Sequence, residues 1–157
     1  MPRTPVDRAR LEAFLRGMGR EFGGAGRLYL VGGSQMVHGG HRAQTQDVDY
    51  VVRIAFHDHG EFNAAVRRLI REMDIGVNPV RPGDFLPLPR GWEDRSPFVG
   101  RYGGLDVFTF DPVSAPLAKI ERGASRDIDD ALALIAAGKV TLEQIEEAFG
   151  EIVPRLE

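Results

Sequence analysis

Two carboxylates and a glycine pair carry the chemistry most readily available to this chain. Asp47 and Asp49 stand one residue apart in the run DVDYVVRI. In an extended strand, residues at i and i+2 project to the same side. Their charges then repel, a cost that a divalent cation between them removes. Mg2+ suits such a site, because it takes one or two carboxylates and completes its shell with water and substrate phosphates. Twelve residues separate Asp47 from Gly32-Gly33-Ser34, which follows the apolar run RLYLV. Glycines between a strand and a helix let the backbone turn sharply and approach a ligand closely. The free N–H groups of the next helix start, with the Ser34 hydroxyl, can hold a phosphate. A cation beside a phosphate can activate an attacking hydroxyl and neutralise a leaving pyrophosphate. Taken singly, each half has a plainer reading: a strand-to-helix turn, and a solvated strand edge. Their combination in this order points to chemistry.

The elements that must position these residues follow from spacing. Thr4-Pro5-Val6-Asp7 reads as a helix start, with Thr4 as cap, Pro5 in the first turn and Asp7 at the positive end. Leu11, Phe14, Leu15, Met18 and Phe22 recur at helical spacing, and Gly23-Gly24-Ala25-Gly26 ends the helix. The pattern predicts a buried strand over 27–31, a short helix over 34–38, a polar loop over 39–46 and a strand over 47–54. An amphipathic helix is expected over 59–73, with Phe62, Val66, Leu69, Ile70 and Met73 in one stripe. The stretch 76–104 holds five prolines and reads as a long loop with one edge strand near 76–80. A strand over 105–110 precedes a helical start at Asp111-Pro112. Further helices are expected over 126–137, ending at Gly138, and after the capping box Thr141-Leu142-Glu143-Gln144. Leu142, Ile145, Phe149 and Ile152 would form the last stripe. The fold class is α/β (α+β), a small mixed sheet with flanking helices. It is expected as one domain over 1–157, with its core over about 27–111 and a helical C-terminal part over about 112–157.

Gly-Gly-Ser, a dozen residues, then Asp-x-Asp on a strand resembles the nucleotidyltransferase superfamily of DNA polymerase beta. The resemblance implies that Gly32, Gly33 and Ser34 hold the phosphates of a nucleoside triphosphate. It implies that Asp47 and Asp49 bind Mg2+ or Mn2+. A third carboxylate from a later strand is usual in that superfamily, and Asp106 in LDVFTF is the candidate, as metal ligand and as base for the acceptor's proton. The other reading of Asp106 is a polar residue at a strand edge. The acceptor hydroxyl, on a tRNA, a protein or a small molecule, is specified by no residue.

A narrower resemblance rests on LPLPRGWEDRSPF, GGLDVF and LAKIERGASRDIDDALALI. These are similar to small bacterial nucleotidyltransferase-like proteins related to the AbiEii-type toxins of toxin–antitoxin systems. The matching positions are Lys119, Arg122, Arg126, Asp127 and Asp130. Lys119 and Arg122, following the strand of Asp106, are candidate phosphate contacts as point charges, or else solvated surface. Arg126 and Asp130 are four apart and can pair on a helix. A second function class stays open: a binding or regulatory module of the same fold with little catalysis. Its long loop and acidic C-terminal helix would serve a partner protein.

Other features are weaker. His38, His41, His57 and His59 lack the spacing of a metal site. His41 and Arg42, between the glycines and the aspartates, can reach a nucleotide or acceptor. Trp92, with Arg90 and Arg95, can stack on a base or cap the core. There is no Walker lysine motif, no G-x-S-x-G and no H-E-x-x-H. The 157 residues carry a net charge of −3, so bulk charge does not argue for nucleic acid. Only Lys119 and Lys139 are lysine among 20 basic residues. Absence of cysteine excludes disulfides and thiolate metal sites. With no apolar leader pattern and no long apolar run, a cytoplasmic protein without a membrane span is expected.

Overall fold

The computed structural model describes residues 3–80, 88–117 and 125–155. They form two compact units. One runs to Val80 and includes Phe98–Thr109; the other comprises the segment ending at Pro97 and the chain from Phe110 onward.

The first unit holds β1 (Val6–Asp7), α1 (Arg8–Glu21), β2 (Ala25–Leu30), α2 (Gly32–His38), β3 (Gln44–Thr45) and β4 (Asp47–Ile54). It continues with α3 (His59–Met73), β5 (Gly76–Pro79), β6 (Phe98–Tyr102) and β7 (Gly104–Thr109). Five strands make one mixed sheet in the order β5-β4-β2-β7-β6. Central β2 runs antiparallel to β4 and parallel to β7. The outer pairs are β4 with β5, parallel, and β7 with β6, antiparallel.

Strand β4 shows how sequence alternation becomes layering. Val48 and Tyr50 turn inward to Leu28, Leu30, Leu105 and Val107 in one core. Asp47 and Asp49 therefore face the other side. Helices α1 and α3 bury their stripes in the same core, through Leu11, Phe14, Leu15 and Met18, and through Phe62, Val66 and Leu69. Each such buried side chain stabilises the fold by about 1.5–3 kcal/mol. Phe62 joins the layers, meeting Phe22 edge-on at 5.3 Å and Tyr50 at 6.0 Å between centroids.

Three expectations change. The cap of α1 is Asp7, which accepts the Arg10 N–H at 2.8 Å, and not Thr4. The reason is pairing: Val6 and Asp7 lie against Thr45 and Gln44, so the chain stays extended to Asp7. The same pairing puts a short strand inside the expected polar loop. The proline-rich stretch holds α4 (Trp92–Arg95) and edge strand β6 besides β5. A register shift between Phe98 and Gly100 hides the period-two pattern of β6.

The second unit contains α4, α5 (Ser125–Ala136) and α6 (Leu142–Ile152). The capping box on α6 is formed: Thr141 Oγ1 accepts from Gln144 N–H, and Gln144 Oε1 accepts from Thr141 N–H. Ile145, Ala148 and Ile152 are buried, whereas Leu142 and Phe149, expected in that stripe, are exposed. Trp92 is buried and meets Phe110 edge-on at 5.6 Å. No helix among the described residues is long and apolar enough to cross a membrane.

Candidate active site

The turn after β2 and the start of β4 meet directly. Val31 N–H donates to the Asp49 carbonyl at 3.1 Å, extending the β2–β4 ladder into the turn. Gly32 then adopts φ +52°, a conformation that side-chain-bearing residues rarely take. A Cβ there would also stand 2.9 Å from Asp49 Oδ2. Glycine thus lets the turn bring Gly33 N–H to Asp49 Oδ2, at 3.2 Å. The other oxygen, Oδ1, accepts from Asn78 Nδ2 at 3.0 Å. The Asp49 carboxylate is thus oriented from both sides.

Ser34 is wholly buried, and its Oγ accepts the Asp49 N–H at 2.7 Å. It braces the carboxylate strand, with its own O–H as a remaining donor. Asp47 is exposed on the same face, beside Gly76, whose missing side chain leaves room for the Asp47 carboxylate. Arg42 comes from the loop between glycines and aspartates, with its N–H on the Met36 carbonyl at 3.2 Å. Its Nη1 lies 3.1 Å from where a Cβ of Gly33 would stand. A guanidinium beside the turn is well suited to a phosphate oxygen.

The structure therefore brings Gly32, Gly33, Ser34, Asp47 and Asp49 together. It does not bring Asp106 to them. Asp106 pairs with Arg27, four residues along β2 from the Val31–Asp49 contact, roughly 13 Å at the usual strand rise. Tyr29 and Phe108 fill the row between, stacked at 5.1 Å. Asp106 Oδ1 instead faces Arg101 Nε at 3.8 Å. Among the described residues no group of three or more His, Asp or Glu side chains is placed to hold a metal ion. Lys119 and Arg122 lie outside the described residues, as do the side chains of Arg126 and Asp127; Asp130 is buried.

Asn78 escaped the sequence reading. Nothing in GVNP marks it; only the register of β5, which sets Asn78 beside Asp49, reveals it. Trp92 belongs to the core of its unit, and Arg95, itself exposed, is committed to a buried carboxylate there. Arg95 binds the buried Asp111 through Nε and Nη2, at 2.8–3.2 Å, and donates Nη1 to the Arg90 carbonyl at 2.7 Å.

Burial pushes the Tyr50 phenol up to about 12, so it stays neutral behind the site. His38, closing α2, is held below the usual imidazole range, first by burial and then by the nearby Arg8 charge, with Glu12 opposing. Its neutral form therefore belongs to the folded state. This contribution is complete above the unfolded imidazole value of about 6.5 and is lost as pH falls through the lower folded value. Denaturant midpoints at pH 7 and pH 5 are expected to differ less in His38→Gln than in the unmodified chain. Equal differences would show that His38 is not coupled to folding.

Comparison with known proteins gives two matches. A family model described as "Nucleotidyltransferase of unknown function (DUF6036)" matches residues 23–153. None of the curated proteins matches the chain. Among solved structures, an antigenic nucleotidyltransferase-like protein from Paracoccidioides brasiliensis aligns with a TM-score of 0.50. The alignment covers 97% of this chain and 91% of that one at 14% identity, and at that identity the likeness concerns the fold.

Proposed function

We propose, from the premise that this chain belongs to the nucleotidyltransferase family of unknown function (DUF6036), that it moves a nucleoside monophosphate from a nucleoside triphosphate to an acceptor hydroxyl, using Mg2+ or Mn2+. One observation carries the reading: the Asp49 carboxylate is aimed by Gly33 N–H and Asn78 beside a turn that only glycine takes readily. The donor set fits Mg2+. Two same-face carboxylates, Asp47 and Asp49, would hold it, with water and substrate phosphates completing the shell. When bound, the cation supplies charge neutralisation at the phosphates and a more nucleophilic acceptor. The chain's own part is positioning. Gly32 and Gly33 keep the turn open to the triphosphate, Ser34 fixes the backbone of Asp49, and Arg42 takes a phosphate oxygen. Lys119 and Arg122 would add phosphate contacts, and Asp106 has no place in the metal set.

The test is label transfer. Purified protein with Mg2+ or Mn2+ and α-labelled nucleotides is offered total RNA and its own lysate. Transfer of label supports the reading. No transfer, with no metal-dependent nucleotide binding by calorimetry, sinks it.

A second reading has its own observation, the distance of Asp106 from the pair. A site with two carboxylates suits a module that binds nucleotide and a partner protein, as in a toxin–antitoxin pair, with little turnover. Metal-dependent nucleotide binding without transfer selects it.

A further inference from the structure

We propose that α6 docks a basic amphipathic helix of another protein, along a second apolar stripe that its own unit leaves uncovered. The inference deepens the binding-module reading and rests on it for the need of a partner; what it adds is that partner's chemistry.

The apolar residues of α6 divide into two sets. Ile145, Ala148 and Ile152 are buried in their unit. Leu142, Phe149 and Val153 are 59%, 49% and 45% exposed. Val153 keeps helical dihedrals and donates its N–H to the Phe149 carbonyl, so it continues the spiral. At about 100° per residue, positions 142, 149 and 153 fall within about 40° of one another. They lie about a quarter turn around the helix from the buried set. The helix thus carries apolar side chains over a wider arc than its unit covers. Single exposed apolar residues are ordinary on a surface, whereas an aligned row marks a place where something packs. Of the seven large apolar side chains exposed among the described residues, five lie on α5, on α6 or at Val153. Ile128 and Leu132, on α5, are one turn apart.

Charge selects the occupant. Glu146 stands about 40° from the middle of the exposed row, on the side away from the buried set, with Glu143 and Glu147 beyond it. All three are exposed, and none forms an ion pair among the described residues. The helix holds no Lys, Arg or His. Glu151, further round, is committed to the Arg90 N–H at 2.8 Å and to Arg155 at 3.9 Å. Two copies of α6 packed along this row would bring unpaired Glu to the same seam, like charge against like. An anionic lipid surface is repelled by the same Glu. A helix with Lys or Arg beside its own apolar stripe meets the row and the carboxylates together. The α6 backbone is hydrogen-bonded within itself, so it offers side chains for helix-on-helix packing and no strand edge. From Leu142 to Val153 the row runs roughly 16 Å, about three turns of a partner helix. The Thr141 capping box fixes the start of α6, so docking has little order to impose on it.

The experiment is fluorescence anisotropy of the full chain with a fluorescein-labelled synthetic helix of about 18 residues, Leu on one stripe and Lys on its flanks. Two peptides serve as comparisons, one with Glu in place of Lys and one with the same composition scrambled. The basic helix is expected to bind at least tenfold more tightly than either. Phe149→Ser, at an exposed position, should weaken binding at least fivefold with an unchanged melting temperature. E143Q/E146Q/E147Q should weaken it at least threefold and flatten its dependence on salt between 50 and 200 mM. Phe56→Ser removes an exposed ring from the first unit and should bind within twofold of the unmodified chain. Equal binding of the acidic or scrambled peptide, no loss in Phe149→Ser, or a Kd above about 100 μM for the basic helix at 50 mM salt overturns the proposal. A dimer seen by light scattering, or binding to phosphatidylcholine vesicles, that Phe149→Ser abolishes gives the row to a second copy or to a membrane and also overturns it. Basic-helix binding by a chain that transfers label keeps this face and removes the binding-module reading. Metal-dependent nucleotide binding without transfer, by a chain that ignores the basic helix, does the reverse.

Discussion

Asp49→Asn is expected to lower metal-dependent nucleotidyl transfer by about a thousandfold or more. A bound cation contributes several kcal/mol of transition-state charge stabilisation, and each 1.4 kcal/mol is about tenfold in rate. The amide still offers an oxygen to Gly33 N–H, so the turn is kept and the melting temperature should not move. Asn78→Ala touches no ligand directly but releases Asp49 Oδ1. Loss of such an orienting partner typically costs about 10–100-fold in metal affinity, so its rate should recover at high Mg2+ while that of Asp49→Asn should not. Initial rates across a Mg2+ titration separate the two. An unmodified rate in Asp49→Asn would remove Asp49 from the metal set.

Arg95→Ala should produce the largest stability loss, about 3–5 kcal/mol, because it strands a buried charge. The Asp111 side chain is fully buried, and Arg95 gives it three of its hydrogen bonds. The Val113 N–H and the Ser114 hydroxyl, at 3.0 and 2.7 Å, remain, too few for an ionised carboxylate without its counter-charge. Urea unfolding of the full chain measures the effect. The double change Arg95→Met with Asp111→Leu should recover part of it, since it removes the buried charge of Asp111 together with its partner. If the single change is as mild as a surface substitution, water already solvates Asp111.

The parts of this molecule legible in its sequence are those set by local periodicity. The Asp47/Asp49 face, the α3 stripe and the Thr141 box each need only a few neighbouring residues, and each was readable. What escaped depends on partners far along the chain. Asp7 became the cap of α1 because residues 44–45 pair beside it. Asn78 entered the site only through the register of β5 with β4. Asp106 has the right residue type in the right kind of strand. Its distance from Asp49 follows from the pairing of β7 with β2, which no local pattern encodes. Trp92 and Arg95 looked available for a ligand because their partners, Phe110 and Asp111, stand more than a dozen residues later.

Strand order also carries a kinetic cost. The parallel β2–β7 pair joins Ala25 to Gly104, whereas β2–β4 and β4–β5 join residues within a much shorter stretch. Closing the longer loop loses more chain entropy before any contact rewards it. Synthesis from the N-terminus delivers Gly33, Asp49 and Asn78 well before β7 emerges. The carboxylate clamp thus belongs to the early-assembling part of the sheet, and the pairing of Arg101 with Asp106 to the late part. A nascent chain would hold the Asp49 carboxylate in its clamp before the far half of its sheet had formed.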